Sequence, residues 1–237
     1  AGNEGNLAYR IAIKYDENDG FYSRHDSSDA RWLGVRGDYQ INSQDALLFE
    51  AGTNSGTRED GFLGDPEQPL RAVEENNSFQ QLRWTRSLSP GSDFYLQLYH
   101  NYQSVDDSFS DAITFFPLDV SLGYGFNSQR CDLEFQHTID LNSTQRMVWG
   151  LGARRDYGKG IWTFKRNDWI TRDQYRAFGN LEWRLSESLL LNVGGMYEKF
   201  EEKEGFFSPK LALNIKLDEM NTLRMSGTRA YRMPTLW

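Results

Sequence analysis

Residues 210–217 read Lys-Leu-Ala-Leu-Asn-Ile-Lys-Leu, and their alternation has no break: Leu211, Leu213, Ile215 and Leu217 fall on one side, Ala212, Asn214 and Lys216 on the other. A period of two with one apolar side is the pattern of a half-buried β-strand. A short turn around Glu219 follows, and a second alternating segment runs from Thr222 to Tyr231. Further back, Asn6 to Asp16 places Leu7, Tyr9, Ile11, Ile13 and Tyr15 opposite Ala8, Arg10, Ala12, Lys14 and Asp16. Gln174 to Leu185 sets Tyr175, Ala177, Leu181, Trp183 and Leu185 against Arg176, Asn180, Glu182 and Arg184, with Phe178 the exception on the polar side. Weaker strands are expected at Arg31–Ile41, Ala46–Gly52, Ser78–Leu88, Asp93–Ser104, Gln129–Ile139, Gln145–Arg155 and Leu189–Lys199. The total is about eleven, which makes the chain all-β, an antiparallel up-and-down meander.

The connections are of two kinds. Short turns fall near Asn42, Pro90, Asn142, Glu187 and Glu219, and Asn42-Ser43-Gln44-Asp45 and Ser89-Pro90-Gly91-Ser92 carry residues that fix or tolerate turn dihedrals. Long loops are expected at Glu17–Ala30, Thr53–Asn76, Val105–Phe126, Tyr157–Thr171 and, briefly, Lys199–Gly205. All but the fourth are acidic, as in Glu59, Asp60, Asp65 and Glu67, then Glu201, Glu202 and Glu204. Charge runs of this kind are ordinarily solvated loops, and the sharper expectation is an outer rim that selects a ligand. A sheet with tight turns at one end and long loops at the other has the asymmetry of a transmembrane β-barrel.

Composition permits that reading without requiring it. A chain of 237 residues, 25% charged and with a mean hydropathy of -0.69, resembles a soluble domain. No stretch approaches the roughly 18 apolar residues of a membrane helix. In a barrel wall only every second residue meets lipid, so the mean stays low while one face is apolar. Seven Trp and twelve Tyr are residue types that settle at membrane interfaces. The net charge of -8 argues against a nucleic-acid partner. Cys131 is the lone cysteine, so neither an intrachain disulfide nor a cysteine metal cluster is expected. Residue 1 onward shows no basic, then apolar, then small-residue leader, and for an exported chain the signal is expected to have been removed or to lie outside this sequence.

Arg10, Lys14, Arg36, Glu50, Glu134, Arg176, Glu182, Arg184, Lys216 and Arg224 lie on the polar faces with both signs interspersed. They suit either a solvated sheet surface or a hydrated lumen; about eleven strands exceed what a twisted open sheet usually holds. His25, His100 and His137 lack the spacing of a metal site, and no phosphate loop, nucleophile elbow or zinc-protease motif is present. No enzymatic activity and no cofactor is expected. His25-Asp26 is the one pair that suggests acid/base work at a rim, and a plain surface histidine accounts for it.

From Phe207 the chain continues Phe-Ser-Pro-Lys, then Leu-Arg-Met-Ser after the turn, then Arg-Ala-Tyr-Arg-Met-Pro-Thr-Leu-Trp. The segment resembles the mid-barrel signature of TonB-dependent outer-membrane receptors: Ser208, Pro209 and Lys210 match its first part, Leu223, Arg224 and Ser226 its second, and Arg229, Ala230, Arg232, Pro234 and Thr235 its third. Tyr9, Arg10, Ile11, Lys14 and Tyr15, followed by Asp19, Gly20 and Phe21, resemble an early strand of the same family. An ordinary hairpin with an irregular end is the plain alternative.

The resemblance implies a share of a 22-stranded, plugged barrel, with residues 1–237 as a partial barrel domain of about half its strands and no plug. It further implies residence among outer-membrane lipid of a Gram-negative bacterium. Contact with the TonB complex would come only through the absent plug. The implied activity is energised uptake of a scarce small molecule, most commonly a ferric siderophore. Trp237 is read as an internal position of a longer chain. The alternatives are a complete small outer-membrane barrel, either a pore or a rim hydrolase, and a soluble β-rich binding domain.

Overall fold

The computed structural model describes residues 1–22, 24–65, 68–112, 119–201 and 204–231, with 110–112 and 119–122 described by backbone alone. All eleven expected strands are present: β2 (Leu7–Asn18), β3 (Ser28–Gln40), β4 (Asp45–Asp60), β5 (Arg71–Ser89), β6 (Ser92–Asp106), β9 (Phe126–Asn142), β10 (Gln145–Gly160), β11 (Arg166–Ser186), β12 (Leu189–Phe200), β13 (Phe206–Lys216) and β14 (Thr222–Thr228). A three-residue strand, β1 (Gly2–Glu4), precedes them and completes a twelve-stranded sheet in chain order. Each neighbour pairing is antiparallel, and β6 lies beside β9 because β7 (Ser108–Ala112) and β8 (Asp119–Gly123) form a separate hairpin.

The short turns fall where the alternation breaks, but most of the expected long loops are strand. β4 continues to Asp60 and β5 begins at Arg71, so only residues 61–70 connect them. Residues 105–126 contain the β7–β8 hairpin, and residues 157–171 contain the end of β10, the one-turn helix α1 (Ile161–Phe164) and the start of β11. Period-two alternation marks a strand only where its two faces meet different surroundings. Thr53–Asp60 is polar on both faces, yet its backbone is fully laddered to Arg71–Ser78, with Arg58 donating to Glu75 at 3.2 Å.

The sheet has two unlike faces. Register aligns Phe49, Leu82, Leu98 and Leu133 in one cross-strand row, and on β2 the run from Leu7 to Tyr15 lies on the same side. All of these side chains are exposed. The run on β2 matches the roughly 9–11 residues with which a tilted strand crosses hydrocarbon. Near the short turns the apolar face becomes aromatic: Trp84 packs on Phe94 at 5.2 Å, Phe94 on Phe135 at 5.6 Å and Phe135 on Trp149 at 5.4 Å. The polar ends of this band are satisfied, with Trp84 Nε1 donating to Asp45 at 2.9 Å and Trp149 Nε1 to His137 Nδ1 at 3.2 Å. This is the form of an interfacial aromatic girdle. Towards the long connections the same face turns polar, in the row Gln80, His100, Cys131, Arg155 and Asp173. Phe178, out of place in the alternation, lies against Gly150 of β10, where a Cβ would collide with its ring. An aromatic covering a strand glycine removes the anomaly.

Candidate functional site

The opposite face concentrates charge in the middle of the sheet, and it does so across strands. Arg176 on β11 reaches over β10 to β9, donating to Asp132 at 3.0 and 2.8 Å and to Glu134 at 2.5 Å. The residue between Arg176 and Glu134 in register is Gly152, and a Cβ there would stand 2.5 Å from the Arg176 Nε. Glycine at this position is therefore what lets the guanidinium lie flat across the intervening strand. Tyr95 donates to Glu134 at 2.6 Å, Arg83 stacks 4.7 Å above the Tyr95 ring, and Arg83 donates to Gln97 at 2.8 Å. A second group joins Asp156 to Arg130 at 2.7 Å and to Arg154 at 2.9 Å. Gln174 donates to Glu198 at 2.7 Å, while Arg154 Nε and Gln174 Oε1 are buried without a partner. The belt is compensated: each named carboxylate holds a donor.

Nearer the long connections, register places Lys14, Trp32, Asn54, Asn77 and Gln103 side by side on five successive strands of this face. The first four line a cavity of about 490 Å³, and Gln103 continues the row beside it. The cavity's cations are paired, Lys14 with Asp16 and Arg58 with both Asp60 at 2.7 Å and Glu75 at 3.2 Å, and Asp29 adds a further carboxylate to the lining. Trp32 lies back over Gly34, where a Cβ would meet its six-membered ring, and the indole stays 37% exposed. Beyond this row the β7–β8 hairpin is tied to β5 by Arg71 and Asp107, 2.5 Å apart and each 8% exposed, with Arg71 4.5 Å from the Phe109 ring centre. His25 borders a separate cavity of about 690 Å³, and Asp26 is occupied in accepting the Phe21 amide at 2.8 Å. Among the described residues no group of three His, Cys, Asp or Glu is placed to hold a metal ion.

Of the polar-face residues expected from alternation, Glu134 and Arg176 meet, Arg36 pairs with Asp38 at 2.8 Å, and Arg36 lies opposite Glu50 in register. The signature residues fall on one hairpin: Ser208, Pro209 and Lys210 on β13, Leu223, Arg224 and Ser226 on β14, and Arg229 and Ala230 just beyond it. Arg229 N donates to the Pro209 carbonyl at 3.1 Å and its guanidinium lies 4.8 Å from the Tyr231 ring centre. Arg232, Pro234, Thr235 and Trp237 lie outside the described residues, as do Glu67 and Glu202. Alternation missed Trp32, Asn54 and Asn77. Their only signal is cross-strand register, and Asn54 fell in what read as loop.

Residues 11–237 match the family model described as TonB dependent receptor-like, beta-barrel. No curated protein matches the sequence. Several solved structures share the fold. One is a ferric enterobactin receptor from Pseudomonas aeruginosa, a mutant in complex with enterobactin, with a TM-score of 0.77 at 14% identity over 99% of this chain and 41% of that one. The siderophore receptor PirA from Acinetobacter baumannii gives 0.76 at 12% identity over 96% and 38%. The ferripyoverdine receptor of the outer membrane of Pseudomonas aeruginosa, bound to ferripyoverdine, gives 0.72 at 12% identity over 94% and 38%. The chain thus spans about two fifths of the length of these receptors.

Proposed function

Because the chain belongs to the TonB-dependent receptor β-barrel family, we propose that residues 1–237 form about half the wall of an outer-membrane receptor that takes up a ferric siderophore. The soluble β-rich domain, open on composition, gives way to this membership. One observation carries the reading: a twelve-stranded sheet exposes an aliphatic and aromatic face on one side and a charge-compensated, hydrogen-bonded face on the other. Lipid suits the first. The second suits a hydrated lumen filled by a plug, through which contact with TonB would be made. Ligand selection falls to the long-connection end and energy transduction to the plug.

The work is binding and passage rather than catalysis. His25, the one candidate for acid/base chemistry, stands beside a carboxylate already committed to a backbone amide. A passive pore is the reading that competes, and energy dependence separates the two. Iron-starved cells lacking the protein should lose accumulation of radiolabelled iron from one ferric chelate, and collapsing the proton gradient in wild-type cells should have the same effect. Accumulation that survives both treatments would overturn the proposal.

A further inference from the structure

Resting on that reading of uptake, we infer that the ligand facing β2–β6 is an uncharged, amide-bearing chelate, a ferric tris-hydroxamate rather than a trianionic ferric tris-catecholate. The cavity over Trp32, Asn54 and Asn77 holds two kinds of group. Its cations are spent, Lys14 on Asp16 and Arg58 on Asp60 and Glu75. A trianion entering there would have to break those pairs or sit beside their carboxylates, and like charge at close range is repelled.

The neutral groups are free. Among the described residues the side-chain amides of Asn54, Asn77 and Gln103 and the Trp32 indole N–H make no hydrogen bond, although the four stand on adjacent strands in one row. Each carboxamide offers both donors and an acceptor, which is the complement of a hydroxamate or secondary amide. Gly34 holds the indole flat against the wall, so its open face offers an apolar platform for the methylene arms of such a chelate. Recognition of this kind discriminates strongly, because a ligand without matching groups leaves polar atoms desolvated and unpaired.

The test uses outer membranes from cells producing the protein, titrated with a radiolabelled ferric tris-hydroxamate and, separately, with a ferric tris-catecholate. Heat-modifiable gel migration confirms that each variant keeps its barrel. We expect the hydroxamate chelate to bind, Asn54→Ala with Asn77→Ala to weaken it roughly tenfold or more, and Trp32→Ala, which removes both the apolar platform and the N–H, to weaken it more than Trp32→Phe, which removes the N–H alone. Preferential binding of the catecholate, weakened by Lys14→Gln, would overturn the inference and leave siderophore uptake standing. Hydroxamate binding that the double variant does not alter would overturn the site. Failure of both chelates to bind would overturn this inference together with the uptake reading beneath it.

Discussion

Gly152 shows how little of a site a residue list carries. Glu134 and Arg176 are both legible as polar-face residues, but their meeting depends on a missing side chain on the strand between them. Gly152→Val should push the guanidinium aside and strand Asp132 and Glu134 without their cation. A charge-assisted hydrogen bond contributes roughly 1.5–3 kcal/mol, so a loss of about 2 kcal/mol in unfolding free energy is expected, seen as a lower urea midpoint of the refolded protein. An unchanged midpoint would show that Arg176 does not need the gap. At the β13–β14 turn, Asp218 accepts the amides of Met220 and Asn221, each at 2.8 Å. Hydrogen bonds from the Asn221 side chain, then from the Met220 amide, hold its carboxyl below the ordinary value of 3.8. The group therefore stabilises the turn above that value, and the benefit is lost as pH falls through the lower, folded value. Amide exchange at Met220 and Asn221, corrected for intrinsic rates, should speed several-fold in acid, and Asp218→Ala should remove the pH dependence.

The strand β14 ends for a reason that lies on its neighbour. In an antiparallel ladder a hydrogen-bonded pair exchanges two bonds, but Pro209 has no N–H, so opposite Arg229 it accepts one and returns none. Pairing stops at Thr228 although the alternation runs on to Tyr231. Pro209→Ala should add an amide whose exchange is slowed by the Arg229 carbonyl. Fast exchange there would mean that the chain leaves the sheet for another cause. Strand extension past the apolar band is the converse case. Thr53–Asp60 lacks alternation and is nonetheless paired, because the ladder is made by backbone groups that every non-proline residue carries.

On the scale of the whole molecule, the two faces predict how the sheet sits. Trp84 and Trp149 belong to the aromatic girdle beside the short turns, whereas Trp32 is on the opposite face. In single-tryptophan variants reconstituted into bilayers, brominated lipid should quench Trp84 and Trp149 by more than about half and leave Trp32 nearly unaffected, consistent with aromatic rings placed at the lipid interface. Equal quenching of all three would overturn the assignment of lipid and lumen, and stronger quenching of Trp32 would reverse it. Every long strand pairs with its chain neighbour apart from the detour of the β7–β8 hairpin, and this regularity made the meander readable at the outset.

Alternation alone determined that the chain is a β-meander with one apolar face and tight turns at one end, since both properties are set by consecutive residues. The hairpin signature from Ser208 onward carried the family for the same reason, its parts being close in sequence. Only the tertiary structure decided that Arg176 spans β10, that polar segments continue as strand, and that Lys14, Trp32, Asn54, Asn77 and Gln103 share one row. Those facts depend on register between strands tens of residues apart. Register slips by one residue turn a side chain to the other face, so the polar belt and the cavity exist only once all the pairings are in place.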